Sequence, residues 1–500
     1  MIKTIRILSA SMLFLFVGVG IAQQSNEFLS RAYWKTNPSI ADIDQKIAKG
    51  NDIAELDRNM FDAVSMALIE KTDNKTIKYL LSKKGNDVNK LTHDGRTYIF
   101  WAAYRDNLEM MKFLVEKGAK TDIMDSHGYS VANFAAVTGQ LNTELYNFCL
   151  IRGANFSKDT NNDGANALLL VAPFAKNFEI IDYFISKGVS LKSTDHNGNG
   201  IFNYVAKAGN IPLMKRLIEK GIDYKTLSKK NENAIIFASR GLRRKVNTLE
   251  TFKYLASLGI EPNITTTDGE TPLLSLASKS KDLALIKYFV DKGVNVNQAN
   301  TDGNTPLLYA AYRNTEEIVR YLASQVKNIN HQNKEGAAAL TNAVYRNSPK
   351  VVSLLLNKGA DITVVDKEQN NLGFYLLKNF NSKKQENFNK KLALLKAKGF
   401  DFLKPQPNGN TLFHLALDSE NIALIKYVHS LGVNVNKQNK DGISPLHIAA
   451  MKAKNAKILH YLISIGADTS QKTTFDESVY DLAAENELLQ QEKIDLTFLK

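Results

Sequence analysis

A recurring glycine constrains this chain more than any other feature. It follows an apolar-periodic stretch at Gly85, Gly118, Gly153, Gly188, Gly221, Gly259, Gly293, Gly359, Gly399, Gly432 and Gly466. The intervals are 33, 35, 35, 33, 38, 34, 66, 40, 33 and 34 residues. A period of that size marks an array of small units, each unable to bury its own apolar face and each completed by its neighbours. Length alone would divide the chain into about three domains of ~150 residues, an expectation that a continuous array removes. Glycine suits the position because helices commonly end on a left-handed residue just past the cap, which a Cβ disfavours. A lysine often stands before it, as at Lys117, Lys187, Lys220, Lys292 and Lys358, where a cation meets the negative end of the helix dipole. The 66-residue interval is a doubled 33 with Val326 at the missing glycine. A β-branched residue avoids the left-handed region, so the chain from Ser324 to Ile329 is expected to leave its helix by another route.

Upstream of each glycine lies a stretch such as Leu283-Ala284-Leu285-Ile286-Lys287-Tyr288-Phe289-Val290, whose apolar spacing of three and four predicts a helix with one buried stripe. Ahead of it comes a shorter helix, as in Thr305-Pro306-Leu307-Leu308-Tyr309-Ala310-Ala311, with proline in the first turn where it loses no needed donor. Polar pairs between units, among them Asp94-Gly95, Asn197-Gly198, Asp268-Gly269, Asp302-Gly303, Asn408-Gly409 and Asp441-Gly442, favour tight positive-φ turns. Each unit therefore reads turn, helix, helix.

The run Asp441-Gly442-Ile443-Ser444-Pro445-Leu446-His447-Ile448-Ala449-Ala450 resembles the D-G-x-T-P-L-H-x-A-A stretch of the ankyrin repeat. Thr271-Pro272-Leu273-Leu274 and Thr411-Leu412-Phe413-His414 are weaker copies; Asn166-Ala167-Leu168, Asn233-Ala234-Ile235 and Asn370-Asn371-Leu372 depart from it. The resemblance, to an ankyrin-repeat protein of the secreted bacterial type, implies an all-α repeat solenoid of helix-turn-helix units joined by β-hairpin-like turns. About twelve units are expected over residues 59–473, with a capping half-repeat over 474–500 around Ser478-Val479-Tyr480-Asp481-Leu482-Ala483. Residues 23–58 are read as an N-terminal cap, with Ile40, Ile43 and Ile47 on one helical face and Ser39 as N-cap. The resemblance also implies that His414 and His447 brace adjacent units through side-chain hydrogen bonds.

Met1-Ile2-Lys3-Thr4-Ile5-Arg6 precedes an uncharged apolar run from Ile7 to Ala22 that ends Gly20-Ile21-Ala22. A basic start, a short apolar core and a small-residue exit describe an export signal over residues 1–22, shorter than the ~20 apolar residues a spanning helix needs. Its removal lowers the formal charge from +13 to +11, so the mature chain stays basic. One cysteine, Cys149, excludes an internal disulfide. It falls where other units place Leu or Phe, and so reads as core. Trp101, just before Ala102-Ala103, is likewise read as packing.

No H-E-x-x-H, C-x-x-C, G-x-S-x-G or G-x-x-x-x-G-K sequence occurs. No catalytic residue, metal or cofactor is assigned. His93, His127 and His196 fall at turns with differing offsets and read as solvated polar residues rather than as a metal stripe. Insertions are more informative. The junction between the two helices of the sixth unit is five residues longer than in the eighth and reads Arg240-Gly241-Leu242-Arg243-Arg244-Lys245; the tenth unit's is seven longer and carries Lys378, Lys383, Lys384, Lys390 and Lys391. The same junction holds Ser278-Lys279-Ser280-Lys281, Tyr312-Arg313-Asn314 and Tyr345-Arg346-Asn347, and Tyr104-Arg105 repeats the pair near the start. Insertions in repeats often mark the working face, and tyrosine and arginine are enriched among binding hot spots. The plain alternative is that lysine-rich turns keep the surface soluble. The expected contact edge is Arg240, Arg243, Arg244, Lys245, Tyr312, Arg313, Tyr345, Arg346, Lys383 and Lys384.

These features point to a non-enzymatic exported scaffold, periplasmic or extracellular and monomeric, that binds an acidic protein partner. An anionic envelope polysaccharide is the second candidate ligand. Nucleic acid is disfavoured by the export signal, since basic charge alone would permit it.

Overall fold

The structure, a computed structural model, describes residues 26–243, 245–419 and 421–500, with Ser382 described by its backbone only. The apolar run of residues 7–22 and Arg244 lie outside the described residues. Among those residues every regular element is a helix, and none is long and apolar enough to cross a membrane. The chain is an all-α repeat solenoid, and its β-like turns amount to isolated antiparallel bridges such as Thr160 with Asn166 and Lys472 with Ser478.

The described residues form two compact units, residues 26–171 with 183–189, and residues 172–182 with those from 190 to 500. In the first, Phe28 and Trp34 are buried and stacked with centroids 5.9 Å apart. The helix Ile40–Ala48 follows, where the Ser39 and Asp42 side chains form a reciprocal capping box and Ile43 is buried. Three helix pairs then run Ala63–Glu70 with Asn74–Leu81, Tyr98–Tyr104 with Leu108–Glu116, and Val131–Val137 with Thr143–Ile151.

The second unit repeats the same pairing from Ile201–Ala206 with Ile211–Glu219 through Pro445–Lys452 with Lys457–Ser464, and closes on the short helices Val479–Glu485 and Glu487–Gln491. The pair Pro306–Arg313 and Glu316–Gln325 shows the logic. Thr305 accepts from the Leu308 N–H, Pro306 fills the first turn, and Leu307, Leu308, Ala310 and Ala311 are buried against neighbouring first helices. Each such leucine contributes about 1.5–3 kcal/mol by leaving water.

Backbone bonds stitch successive turns together: Thr301 N–H donates to Asp268 O (2.9 Å), Lys334 to Asp302 O (2.9 Å) and Lys367 to Glu335 O (2.9 Å). Glycine serves two different needs in these units. Gly359, at a helix end, has φ +84° and nothing within 4 Å of a would-be Cβ, so only its left-handed backbone requires it. Gly336, at a turn, has φ +78° and would also place a Cβ 2.8 Å from the Asp366 backbone of the next unit. The eleven helix-end glycines span φ 71° to 98°. Val326 takes φ −79° and ψ 146°, leaving its helix directly into extended chain, as a β-branched residue must.

Candidate contact face

The junctions between first and second helices carry the candidate residues, all in the second unit. The sixth-unit insertion is a short hairpin in which Leu242 and Lys245 exchange backbone hydrogen bonds (3.2 and 3.1 Å). Gly241 permits it at φ +60°, where a Cβ would meet the Lys245 carbonyl at 2.6 Å. Arg243 and Lys245 are exposed there. Arg240 is held back from that group: its guanidinium pairs with buried Glu232 (2.7 Å), and its carbonyl accepts from Lys279 Nζ (2.8 Å). Lys281 makes the equivalent reach to the Arg313 carbonyl (2.8 Å).

This produces a crowded row of cations. Burial, and behind it the charges of Arg240 and Lys279, hold the Lys207 ammonium below the usual lysine range. Burial followed by Arg240 and Arg313 does the same to Lys279, and burial with Arg313 to Lys281. Lys207 was not legible as a member of this row, since it lies at the end of the helix Ile201–Ala206 with no insertion beside it.

Beyond Arg313 the row becomes aromatic. Tyr312 and Tyr345 have centroids 6.0 Å apart, and Tyr345 and Tyr375 6.1 Å. The Arg346 guanidinium lies 5.6 Å from the Tyr312 ring and 5.4 Å from Tyr345; Lys378 Nζ lies 6.0 Å from Tyr345. Contacts of this kind are worth about 0.5–1 kcal/mol at exposed sites. The tyrosines are half-buried in their own ladder, while Arg313 and Arg346 are exposed. Among the described residues no carboxylate forms an ion pair with Arg313, Arg346, Lys378 or Lys384.

The tenth-unit insertion divides into two parts. Residues Ser382–Lys384 form a 3-10 turn, with Lys383 and Lys384 exposed, and the rest extends the second helix to Gln385–Ala397. Lys384 lies with Tyr345 and Arg346 on one cavity, whereas Lys383 joins neither ladder nor cavity. Lys390 pairs with Glu386 (2.6 Å), and Lys391 is buried. The junction therefore exposes fewer lysines than its sequence suggests.

Other assignments have direct geometric answers. His414 Nδ1 accepts the Thr411 N–H (3.0 Å), which leaves Nε2–H to donate to Ile443 O of the next unit (3.0 Å). His447 likewise accepts from Ser444 N–H (3.1 Å) and donates to Gln471 O (3.1 Å). Both are the expected braces. Burial pushes the Cys149 thiol up to about 12. Trp101 is buried and donates to Thr92 Oγ1 (2.7 Å). His93 and His127 converge on the Asp94 carboxylate at 3.4 and 3.3 Å, a meeting their unequal offsets concealed; His196 takes no part. No group of three metal-ligating side chains occurs among the described residues.

The family model described as "Ankyrin repeats (3 copies)" matches residues 64–157, 168–266, 235–332, 274–366 and 380–473. A palmitoyltransferase, AKR1 of Lachancea kluyveri, is 30% identical over 167 residues, 32% of this chain and 22% of that protein. Ankyrin repeat protein nuc-2 of Neurospora crassa is 26% identical over 161 residues, 32% of this chain and 15% of its own length. The chain thus spans less than a quarter of either relative. Solved ankyrin repeat domains of human ASB11 (22% identity, TM-score 0.37, 45% of this chain and 99% of that one) and Bcl-3 (21%, 0.35, 45% and 100%) are among the structures that this chain matches. With repeat-model matches across well over half its length, the chain belongs to the ankyrin-repeat family.

Proposed function

We propose that this protein is a non-enzymatic, exported scaffold of the secreted bacterial type that works as a monomer and binds an acidic protein through the Tyr-Arg face of its second unit. One observation carries the reading: Tyr312, Tyr345 and Tyr375 form a ladder across three neighbouring helix pairs, topped by Arg346 and Lys378, neither of which is ion-paired to a carboxylate among the described residues. Aromatic and guanidinium groups supply contact area at low entropic cost, and uncompensated cations select acidic surfaces and speed encounter. Nucleic acid is not the ligand in this reading, because the N-terminal signal sends the chain out of the cytoplasm, to periplasm or medium. An acyl-transfer activity like that named for AKR1 is not carried over. A thiol nucleophile needs exposure and a lowered pKa, and Cys149 has neither.

The test is capture of a partner from the native envelope by the mature chain and by a variant with Tyr312, Arg313, Tyr345 and Arg346 all replaced by alanine. Loss of capture with unchanged circular dichroism supports this face; unchanged capture moves the contact elsewhere. N-terminal sequencing of the fractionated protein should begin at Gln23, and an intact Met1 in the cytoplasm would contradict export.

The row Lys207, Arg240, Lys279, Lys281 and Arg313 favours one second reading, an anionic polysaccharide ligand. Such binding should fall steeply with salt, whereas capture anchored on tyrosines should persist.

A further inference from the structure

The tenth helix pair contains a cation that the ladder does not use. Lys391 is 6% exposed and its Nζ donates to the Val344 carbonyl (2.8 Å). One unit earlier the matching carbonyl, Ala311 O, accepts from the neutral amide of Asn347 (3.0 Å). Asn314 does the same work for Ala277 O (2.7 Å) and Asn247 for Ala206 O (3.3 Å). A neutral amide satisfies a helix-end carbonyl without burying charge. At Lys391 the chain instead buries an ammonium with three N–H protons and one acceptor among the described residues, a costly arrangement unless an anion joins it.

The surroundings are those an anion would need. A cavity of about 250 Å³ is lined by Lys391, Arg346, Lys384, Tyr345, Asn379 and Asn387, and no Asp or Glu lines it. Burial alone brings Lys391 down to about 8, the response of an ammonium lacking a counter-ion.

We propose that this cavity is a carboxylate-binding pocket, receiving an acidic side chain or a C-terminal carboxylate of a protein partner, with Lys391 as its buried counter-ion. The proposal rests on the protein-binding reading, because the pocket shares Tyr345 and Arg346 with the ladder; an arginine fork also matches the two oxygens of a carboxylate.

The experiment needs no partner. The full chain, labelled with ¹³C-lysine and ¹⁵N-arginine, is titrated with N-acetyl-glutamate amide, N-acetyl-alanine, sodium chloride or sodium sulfate at matched ionic strength, and the Lys391 Cε resonance is followed. At least one carboxylate should move that resonance saturably and raise the proton affinity of Lys391 about tenfold, with chloride doing neither. The more effective compound distinguishes side-chain from terminal carboxylate. K391Q, which retains a donor for Val344 O, should abolish saturation by the other pocket reporters, Lys384 Cε and Arg346 Nε, without changing circular dichroism. Equal responses to carboxylate and chloride, saturation that survives in K391Q, or a stronger response to sulfate than to either carboxylate would each overturn the proposal. Partner capture can succeed in any of these cases, so failure of the pocket is separable from failure of the face.

Discussion

Arg96 in the first unit and Arg346 in the second are both arginines laid over aromatic rings, and they do opposite things. The Arg96 guanidinium is 4.2 Å from the Phe134 ring and 5.4 Å from Trp101, is buried, and pairs with Asp125 (2.7 Å) and Asp94 (3.0 Å). Its charge is spent inside the fold. Arg346 lies 5.6 Å from the Tyr312 ring and 5.4 Å from Tyr345 but is exposed and has no acidic partner among the described residues. The aromatic platform is common to both, and the carboxylate decides which cation holds the unit together and which one faces outward. A buried pair is costly to break because the surviving charge is stranded, while an exposed cation over a ring adds little to stability.

The largest expected effect follows from breaking the closed site. Asp125 Oδ1 also accepts the His127 and Tyr129 N–H groups (2.9 Å each), so D125N keeps those turn bonds while removing the buried one of the two carboxylates that face Arg96 and leaving only the partly exposed Asp94. It should cost about 3 kcal/mol, the lower end for a broken buried pair. Both tryptophans, Trp34 and Trp101, lie in the first unit, so urea unfolding followed by tryptophan fluorescence reads it directly. A loss below about 1 kcal/mol would show that the pair does not close the site.

The second unit's equivalent tie is histidine. H447A strands the Ser444 N–H and the Gln471 carbonyl and should cost about 2–3 kcal/mol by circular dichroism. Burial holds both His414 and His447 below their usual range. As pH falls through about 6.5 the unfolded chain therefore takes up protons first and stability declines; above that pH the contribution is complete. A wild-type denaturation midpoint that is flat with pH across this range would contradict the neutral braces.

Effects on the open face should be smaller. Y345A removes two ring contacts and is expected to cost about 1–2 kcal/mol, more than a fully exposed residue would. R346M should cost only about 0.5–1 kcal/mol, despite changing the same kind of cation-on-ring contact that Arg96 makes. If R346M proved as damaging as D125N, the distinction between spent and available cations would fail.

Much of this was readable in advance where the cause is local. A left-handed helix end demands glycine, which made the period visible and singled out Val326; the Thr-Leu-Phe-His and Ser-Pro-Leu-His runs fixed the places of His414 and His447. What stayed hidden depends on how one unit overlies the next. Tyr375 sits 66 residues after Tyr309, one turn earlier in its helix than Tyr345, yet it is Tyr345 that it touches. Arg240 looked free because Glu232, its partner, precedes the helix and shares no motif with it. Lys391 looked like a loop lysine because nothing in an inserted basic run announces that the helix continues through it.

The junction asparagines carry a mechanical consequence. Asn247, Asn314, Asn347 and Asn486 each reach back to carbonyls of the preceding pair, at 2.7 to 3.4 Å. Under tension from its C-terminal end, the second unit would open like a zip, each departing pair withdrawing the tooth that had held the one before it. A force trace would show evenly spaced steps, set by a period of about 33 residues, and the pair where a buried ammonium, Lys391, reaches back in place of an asparagine is where the rhythm should change.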